Sequence, residues 1–143
     1  MDGMLNIEEI KSLIPQRYPF LMLDRVVEIK AGQYIKAYKN VSINEACFNG
    51  HFPGNPVFPG AFIAEAMAQA ACILLKKSVK DLDAKLFYIT NAKLRFLKVV
   101  SPGDQLRLTV KSIKMVRTGG IFNTEATVDN NMIARGEMAF ACK

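Results

Sequence analysis

One histidine, His51, is the only imidazole in the 143 residues, and the three cysteines, Cys47, Cys72 and Cys142, form no Cys-x-x-Cys pair. A zinc-type site needs more nitrogen and sulfur ligands at closer spacing, so no metal is expected. An odd number of cysteines without metal spacing fits free thiols in a reducing cytosol, and the expected location is cytoplasmic. No apolar run is long enough for a membrane span, which takes about 18 or more uninterrupted residues. The N-terminus, M-D-G-M-L-N-I-E-E-I, is acidic and amphipathic, unlike the basic-then-apolar start of a signal peptide. A G-x-S-x-G elbow, a Walker loop and G-x-G-x-x-G are all missing, which removes serine-hydrolase chemistry and leaves nucleotide cofactors unsupported. Internal repeats, low-complexity tracts and linkers are missing too. Residues 1–143 therefore read as a single domain, long enough to bury roughly two-thirds of its unfolded surface.

What is present is an ordinary globular balance, 50% hydrophobic and 22% charged, so the chain is not a disordered one. The net charge of +6 admits nucleic acid, an anionic membrane surface or an acidic protein as partner. The basic residues are scattered and not interleaved with aromatics as on an RNA-binding sheet, and no recognition motif occurs. An acidic protein or acidic cofactor is the favoured reading, and nucleic acid is not expected.

Residues 6–14 place Ile7, Ile10, Leu13 and Ile14 at helical intervals, and Pro15 ends that short helix. Pro19 opens F-L-M-L-D-R-V-V-E-I, predicted as a strand, and a turn at Ala31-Gly32 leads to the alternating strand Y-I-K-A-Y-K-N-V-S-I. A Pro/Gly loop over 50–60 precedes a helix predicted over 61–77, about 25 Å long at roughly 1.5 Å per residue. Further on, 86–100 gives one or two strands, S-P-G-D at 101–104 is a turn, and Q-L-R-L-T-V-K-S-I-K-M-V alternates strictly. Turns at Thr118-Gly119-Gly120 and Asp129-Asn130-Asn131 make the C-terminal half an antiparallel meander. The fold class is α+β, a mostly antiparallel sheet wrapped around one long helix. A helix apolar on nearly every face is buried on nearly every face, and covering it in so short a chain points to a homo-oligomer.

The stretch G-H-F-P-G-N-P-V-F-P-G at 50–60 and the A-F-I-A-E-A-M-A-Q-A that follows carry the chemistry. A lone histidine is more often structural, but Pro53, Pro56 and Pro59 fix φ around His51, and Gly54 and Gly60 allow close backbone approach. The loop ends at a helix N-terminus, whose free N–H groups hold a developing oxyanion, with the amide near Gly60 the natural donor. Glu65 is the one carboxylate in this apolar helix, with Gln69 a turn further along the same face. Either Glu65 lies on a wet edge or bonds Gln69, or it faces a cavity as an acid. A histidine base, a glutamate acid and a helix-start amide suit proton abstraction beside a carbonyl. Cys47, four residues before His51, is the alternative nucleophile, though nothing around it suggests an activated thiol.

H-F-P-G-N-P-V-F-P-G with A-F-I-A-E-A-M-A-Q-A resembles the signature of the FabZ-type (3R)-hydroxyacyl-acyl carrier protein dehydratases. Q-R-Y-P-F-L-M-L-D-R-V at 16–26 and V-S-P-G-D at 100–104 extend the resemblance over residues 5 to 142. It implies a hot-dog fold, a homodimer whose two active sites lie at the subunit interface, and three such dimers forming a hexamer. It implies a lyase of fatty acid biosynthesis that removes water from a (3R)-hydroxyacyl-acyl carrier protein, giving the trans-2-enoyl thioester. By that resemblance His51 abstracts the C2 proton and Glu65, from the other subunit, protonates the leaving hydroxyl, its neutral form favoured on a low-dielectric helix face. The resemblance further implies that Gly60 polarises the thioester carbonyl, that Gln69 orients Glu65, that Phe58, Phe62, Phe87 and Tyr88 line an acyl tunnel, and that no cofactor is required. The carrier protein is acidic, and Lys93, Arg95 and Lys98 are its candidate contacts. FabA-type relatives, which also isomerise the double bond, carry Asp where this chain has Glu65, so dehydration alone is expected. The family's F-R-x-P-V-x-P-G-D reads F-L-K-V-V-S-P-G-D here, with Leu97 and Val99 replacing Arg and Pro. The alternatives are a hot-dog thioesterase acting on acyl-coenzyme A, a non-catalytic acyl-carrier-binding scaffold, and a basic nucleic-acid-binding domain.

Overall fold

The computed structural model describes residues 3–84 and 86–143. Helix α1 spans Ile7–Leu13 and begins with a reciprocal cap: Asn6 Oδ1 accepts from Glu9 N–H, and Glu9 Oε1 accepts from Asn6 N–H, each at 3.0 Å. Its apolar face is small, and Ile10 is its one buried residue. Six strands follow, β1 (Arg25–Lys30), β2 (Tyr34–Asn40), β3 (Phe87–Phe96), β4 (Gln105–Val116), β5 (Gly119–Val128) and β6 (Asn131–Cys142), interrupted by the long helix α2 (Gly60–Ser78). They form one sheet in the order β1-β2-β4-β5-β6-β3, with every neighbouring pair antiparallel.

The strand predicted from Pro19 starts only at Arg25. Residues 20–22 give their backbone groups to a side chain instead: Phe20 O and Met22 N–H both bond Gln69. The glycines expected to form the β4–β5 turn lie inside β5, and Arg117-Thr118 make the turn. Gly119 is there for close approach, because a Cβ on it would sit 2.0 Å from Phe140 O. The β5–β6 turn matches its sequence, with Asp129 and Asn130 at φ 49° and 66°, the left-handed pair that a tight hairpin demands.

Alternation decides which face each strand buries. Leu106, Leu108 and Val110 on β4, Phe122, Thr124 and Ala126 on β5, and Ile35 and Ala37 on β2 turn inward, while Lys36, Arg107, Lys111 and Glu125 face out. The inward face wraps α2, whose residues from Ala66 to Leu75 are all buried. Each Leu or Ile sealed in this way contributes roughly 1.5–3 kcal/mol. Helix and sheet together are the hot-dog arrangement, α+β. Within one chain the sheet already covers α2. Apolar surface is left open elsewhere, on and after β3 at Tyr88, Ile89, Phe96, Leu97 and Val99, and also at Tyr18, Phe20, Ile43, Phe52 and Ile113. No helix among the described residues is long and apolar enough to cross a membrane.

Candidate active site

The segment leading to His51 is a short 3-10 helix, Ala46–Asn49, which the sequence did not announce. From it the chain turns sharply: His51 N–H donates to Cys47 O at 3.0 Å, and Val57 N–H donates back to His51 O at 3.1 Å. Between them Phe52 and Asn55 exchange two backbone bonds of 3.1 and 2.8 Å, closing the F-P-G-N turn in which Gly54 takes φ 73°. The prolines leave the loop few other conformations.

The imidazole is oriented by one bond. His51 Nδ1 lies 2.8 Å from Val57 O. A carbonyl oxygen only accepts, so Nδ1 carries a proton, and in the neutral ring the lone pair is therefore on Nε2. The Phe52 ring stacks on the imidazole, centroids 4.0 Å apart and planes at 26°, and fixes its tilt. Phe58 N–H donates to Val100 O at 2.8 Å, tying the end of the loop to the segment after β3.

Helix α2 begins where the loop ends. Pro59 occupies the N-cap without a side-chain cap, and Phe62 and Ile63 N–H share its carbonyl at 2.9 and 3.1 Å. The Gly60 amide, at the first helical position, has no intrahelical acceptor and stands at the positive end of the helix dipole. One turn on, Glu65 is half-buried, not sealed, because the first turns of α2 reach past the sheet: Ala61 is exposed and Ala64 half-buried. Gln69 behind it is fully buried. Its Nε2 donates to Glu65 Oε2 at 2.9 Å and to Phe20 O at 2.6 Å, and its Oε1 accepts from Met22 N–H at 2.8 Å. Gln69 thus braces the carboxylate against a fixed piece of backbone. No hydrogen bond or ion pair joins His51 to Glu65 within the chain; each has its own holder, Val57 for one and Gln69 for the other.

The remaining candidates fall into two groups. Phe58 is buried between Phe48 (6.3 Å) and Phe62 (5.9 Å), and Phe62 meets Phe20 edge-on at 5.8 Å. Phe62 also walls a cavity of about 510 Å³ with Leu21, Leu23 and Cys47. Phe87 and Tyr88 instead open β3, opposite Cys142 and Ala141, with Lys143 Nζ 5.6 Å above the Tyr88 ring. Lys93 and Arg95, further along β3, border a groove of about 660 Å³ on the outer face of the sheet together with Lys111 and Arg135. Lys98 is exposed in the connection after β3. Burial first, and then the Glu45 carboxylate, push the Cys47 thiol up, which disfavours the thiolate a nucleophile would need.

Sequence reasoning missed Phe52, the Val57 carbonyl, the Phe20–Met22 backbone and Phe96. Phe96 Cε1 would lie 3.3 Å from a Cβ on Gly60. Two of these had a local signal: Phe52 stands beside the histidine, and Phe96 heads the motif F-L-K-V-V-S-P-G-D.

A family model described as FabA-like domain matches residues 14–137. A Myxococcus xanthus protein named 3-hydroxyacyl-[acyl-carrier-protein] dehydratase FabZ is 50% identical over 137 residues, covering 93% of this chain and 88% of that one. A Shewanella woodyi protein of the same name is 46% identical over 139 residues, covering 96% and 91%. Among solved structures, a chain of the dehydratase heterocomplex ApeI:P from Xenorhabdus doucetiae superposes with a TM-score of 0.77 at 17% identity, covering 94% of this chain and 90% of its own. At that identity the likeness is one of fold.

Proposed function

The chain belongs to the FabA-like family, and from that premise and the geometry around His51 we infer that it dehydrates 3-hydroxyacyl thioesters carried by acyl carrier protein, in fatty acid biosynthesis. The observation that carries the reading is the bond from His51 Nδ1–H to Val57 O, which turns Nε2 of the neutral ring into a free base in the loop that leads to the helix-start amide of Gly60. His51 Nε2 takes the proton from C2 of the substrate. The negative charge moves onto the thioester oxygen, where the Gly60 N–H stabilises it. Glu65, in its acid form, gives its proton to the C3 hydroxyl, which leaves as water, and the C2–C3 double bond forms. Gln69 holds the carboxyl in the required direction throughout. Proton transfers of this kind contribute typically 10²–10⁴-fold each.

The reading includes a homodimer with shared sites, His51 of one subunit facing Glu65 of the other, and three dimers in a hexamer. The open edge of β3 supports the dimer, since exposed strands with apolar side chains pair with a second chain. Residues 1–143 act as one domain in the cytoplasm. The acyl chain runs along Phe58, Phe62, Phe87 and Tyr88, the last two being reached across the β3 edge. Lys93, Arg95 and Lys98 receive the acidic carrier protein. Glutamate at position 65, where isomerising relatives carry aspartate, supports dehydration without isomerisation.

The test is an assay of purified protein with 3-hydroxybutyryl and crotonyl thioesters, following enoyl absorbance in both directions. Interconversion is expected. Release of free thiol without interconversion would establish the thioesterase instead, and no change at all a binding scaffold.

A further inference from the structure

Gly60 raises a question that the dehydration chemistry leaves open. A glycine in a helix costs about 1 kcal/mol relative to alanine. Its φ here lies outside the left-handed range, so the backbone does not require it. Gly50 has open space where its Cβ would be, and Gly54 is needed for φ 73°. Gly60 alone of the loop's glycines is squeezed by a side chain: Phe96 Cε1, Cδ1 and Cζ would stand 3.3, 3.5 and 3.5 Å from its Cβ. The contact is made by the flank of the ring, yet Phe96 as a whole is 48% exposed, unusually open for a phenylalanine in contact with a helix start.

The ring is also held firmly in place. Phe96 ends β3, opposite Ala134, and the next residue, Leu97, donates its N–H to Ile133 O at 2.7 Å. Four residues on, Val100 O takes the N–H of Phe58, two residues before Gly60. The end of the strand and the start of the helix are therefore laced together on both sides of the ring. What remains open is the other part of the ring, beside an unbonded amide.

We propose that Phe96 is the specificity wall of the thioester slot: its exposed surface carries the thioester sulfur and the first methylenes of the arm, directing the carbonyl oxygen onto the Gly60 N–H. Glycine suits position 60 because a Cβ there would press on the ring at 3.3 Å and push it out of line by a few tenths of an ångström. A polarisable sulfur against an aromatic ring is a favourable contact, and a slender thioester arm fits a slot with one flat apolar side. This rests on the dehydratase reading given above.

The experiment uses the wild-type protein, Phe96→Ala, Phe96→Leu, Gly60→Ala and the Gly60→Ala/Phe96→Ala pair, with crotonyl thioester hydration as readout and thermal melting as the check on folding. Phe96→Ala raises KM about tenfold while kcat stays within about threefold, the signature of lost binding along an apolar wall. Phe96→Leu keeps an apolar side chain but loses the flat ring, so it raises KM about threefold, less than the alanine, and it carries the test alone if the alanine variant does not fold. Gly60→Ala lowers kcat/KM at least about tenfold in the wild-type background but less than about threefold beside Phe96→Ala, because the two share one contact. An unchanged or lowered KM in the folded Phe96 variants, or strictly additive losses in the pair, overturns the wall while leaving the dehydratase reading intact. A wild type that does not interconvert the thioesters overturns both.

Discussion

The two edges of the sheet are built on opposite plans. β1 is short, six residues, carries Arg25, Glu28 and Lys30, has a register shift between Val26 and Glu28, and is partly covered where Leu5 bridges Val26. β3 is ten residues long, and apart from Phe87 and Leu94 every residue along it is exposed. Charge, irregularity and cover are the devices by which a chain closes an edge against strangers. β1 has all three. β3 has Lys93 and Arg95 and a register shift of its own between Ile89 and Asn91, but it also exposes Tyr88 and Ile89, and among the described residues no strand pairs with its free edge. The difference teaches which edge is finished by the chain itself and which waits for a second copy, and it bears directly on how His51 and Glu65 come to work together.

The largest effect tests that link. His51→Ala and Glu65→Gln should each lower kcat about a thousandfold or more, since each removes one proton transfer, with the melting profile unchanged. Mixed under subunit exchange, the two dead proteins should regain activity. Half of the dimers are then hybrid with one of two sites intact, so about a quarter of wild-type activity is expected in a symmetric shared-site dimer. No recovery despite proven exchange would place the whole site in a single chain.

A charge placed on each edge separates the two plans. Ile89→Asp, on the exposed first part of β3, should shift the assembly to monomers by light scattering and cost more than about tenfold in activity, a buried unpaired charge being worth several kcal/mol at an interface. Ile89 pairs only with Phe140 of its own chain, so the monomer should still fold. The control on the opposite edge, Lys30→Asp, should leave both assembly and turnover alone. If the two substitutions behave alike, the contrast between the edges has no functional meaning.

How much of this could be read beforehand differs between the same regions. The loop and helix were legible because their signals are local: three prolines and three glycines around one histidine, then an apolar helix interrupted by Glu65 and Gln69. The meander β4-β5-β6 was legible from alternation. The placement of β3 beside β6 was not, because strand order is a matter of long-range pairing that no periodicity encodes. Nor was the loss of strand at 20–24, where Gln69 takes the Phe20 and Met22 backbone groups from 49 and 47 residues away. Phe96 was missed for the same reason. It heads the motif F-L-K-V-V-S-P-G-D, but its partner, Gly60, lies far off in sequence, and no local pattern joins the two.

That long-range brace gives a smaller effect with a clear sign. Gln69→Leu keeps the bulk of the side chain but leaves Phe20 O and Met22 N–H without their partner in a buried setting. Each such group costs about 1–3 kcal/mol, so the variant should melt several degrees lower than wild type. Glu65 loses the Gln69 Nε2 donor as well, so kcat should fall while KM, set by the loop and helix start, moves little. A normal kcat in a folded Gln69→Leu protein would reduce Gln69 to a structural tie.

The smallest effect concerns the thiols, one near the loop and one near the β3 edge. Burial first, with the Glu45 carboxylate behind it, raises Cys47, and burial raises Cys142, above the ordinary thiol range. A folded-state pKa above the unfolded one means that the native state holds the proton more tightly. The resulting stability is fully present below the unfolded thiol pKa of about 8.5 and is lost as pH rises through the folded values. At pH 8, alkylation by iodoacetamide should therefore be slower at both cysteines in the native protein than in the same protein unfolded in urea, and it should accelerate at higher pH than for a free thiol. Cys142 has a second constraint, its Sγ donating to Arg117 O at 3.2 Å at the end of β6 that pairs with Phe87. If β3 is covered by a second subunit, dilution to monomers or Ile89→Asp should quicken labelling at Cys142 and leave Cys47 unchanged. Equal acceleration at both would mean that the loop, and not the edge alone, is reorganised when the subunits part.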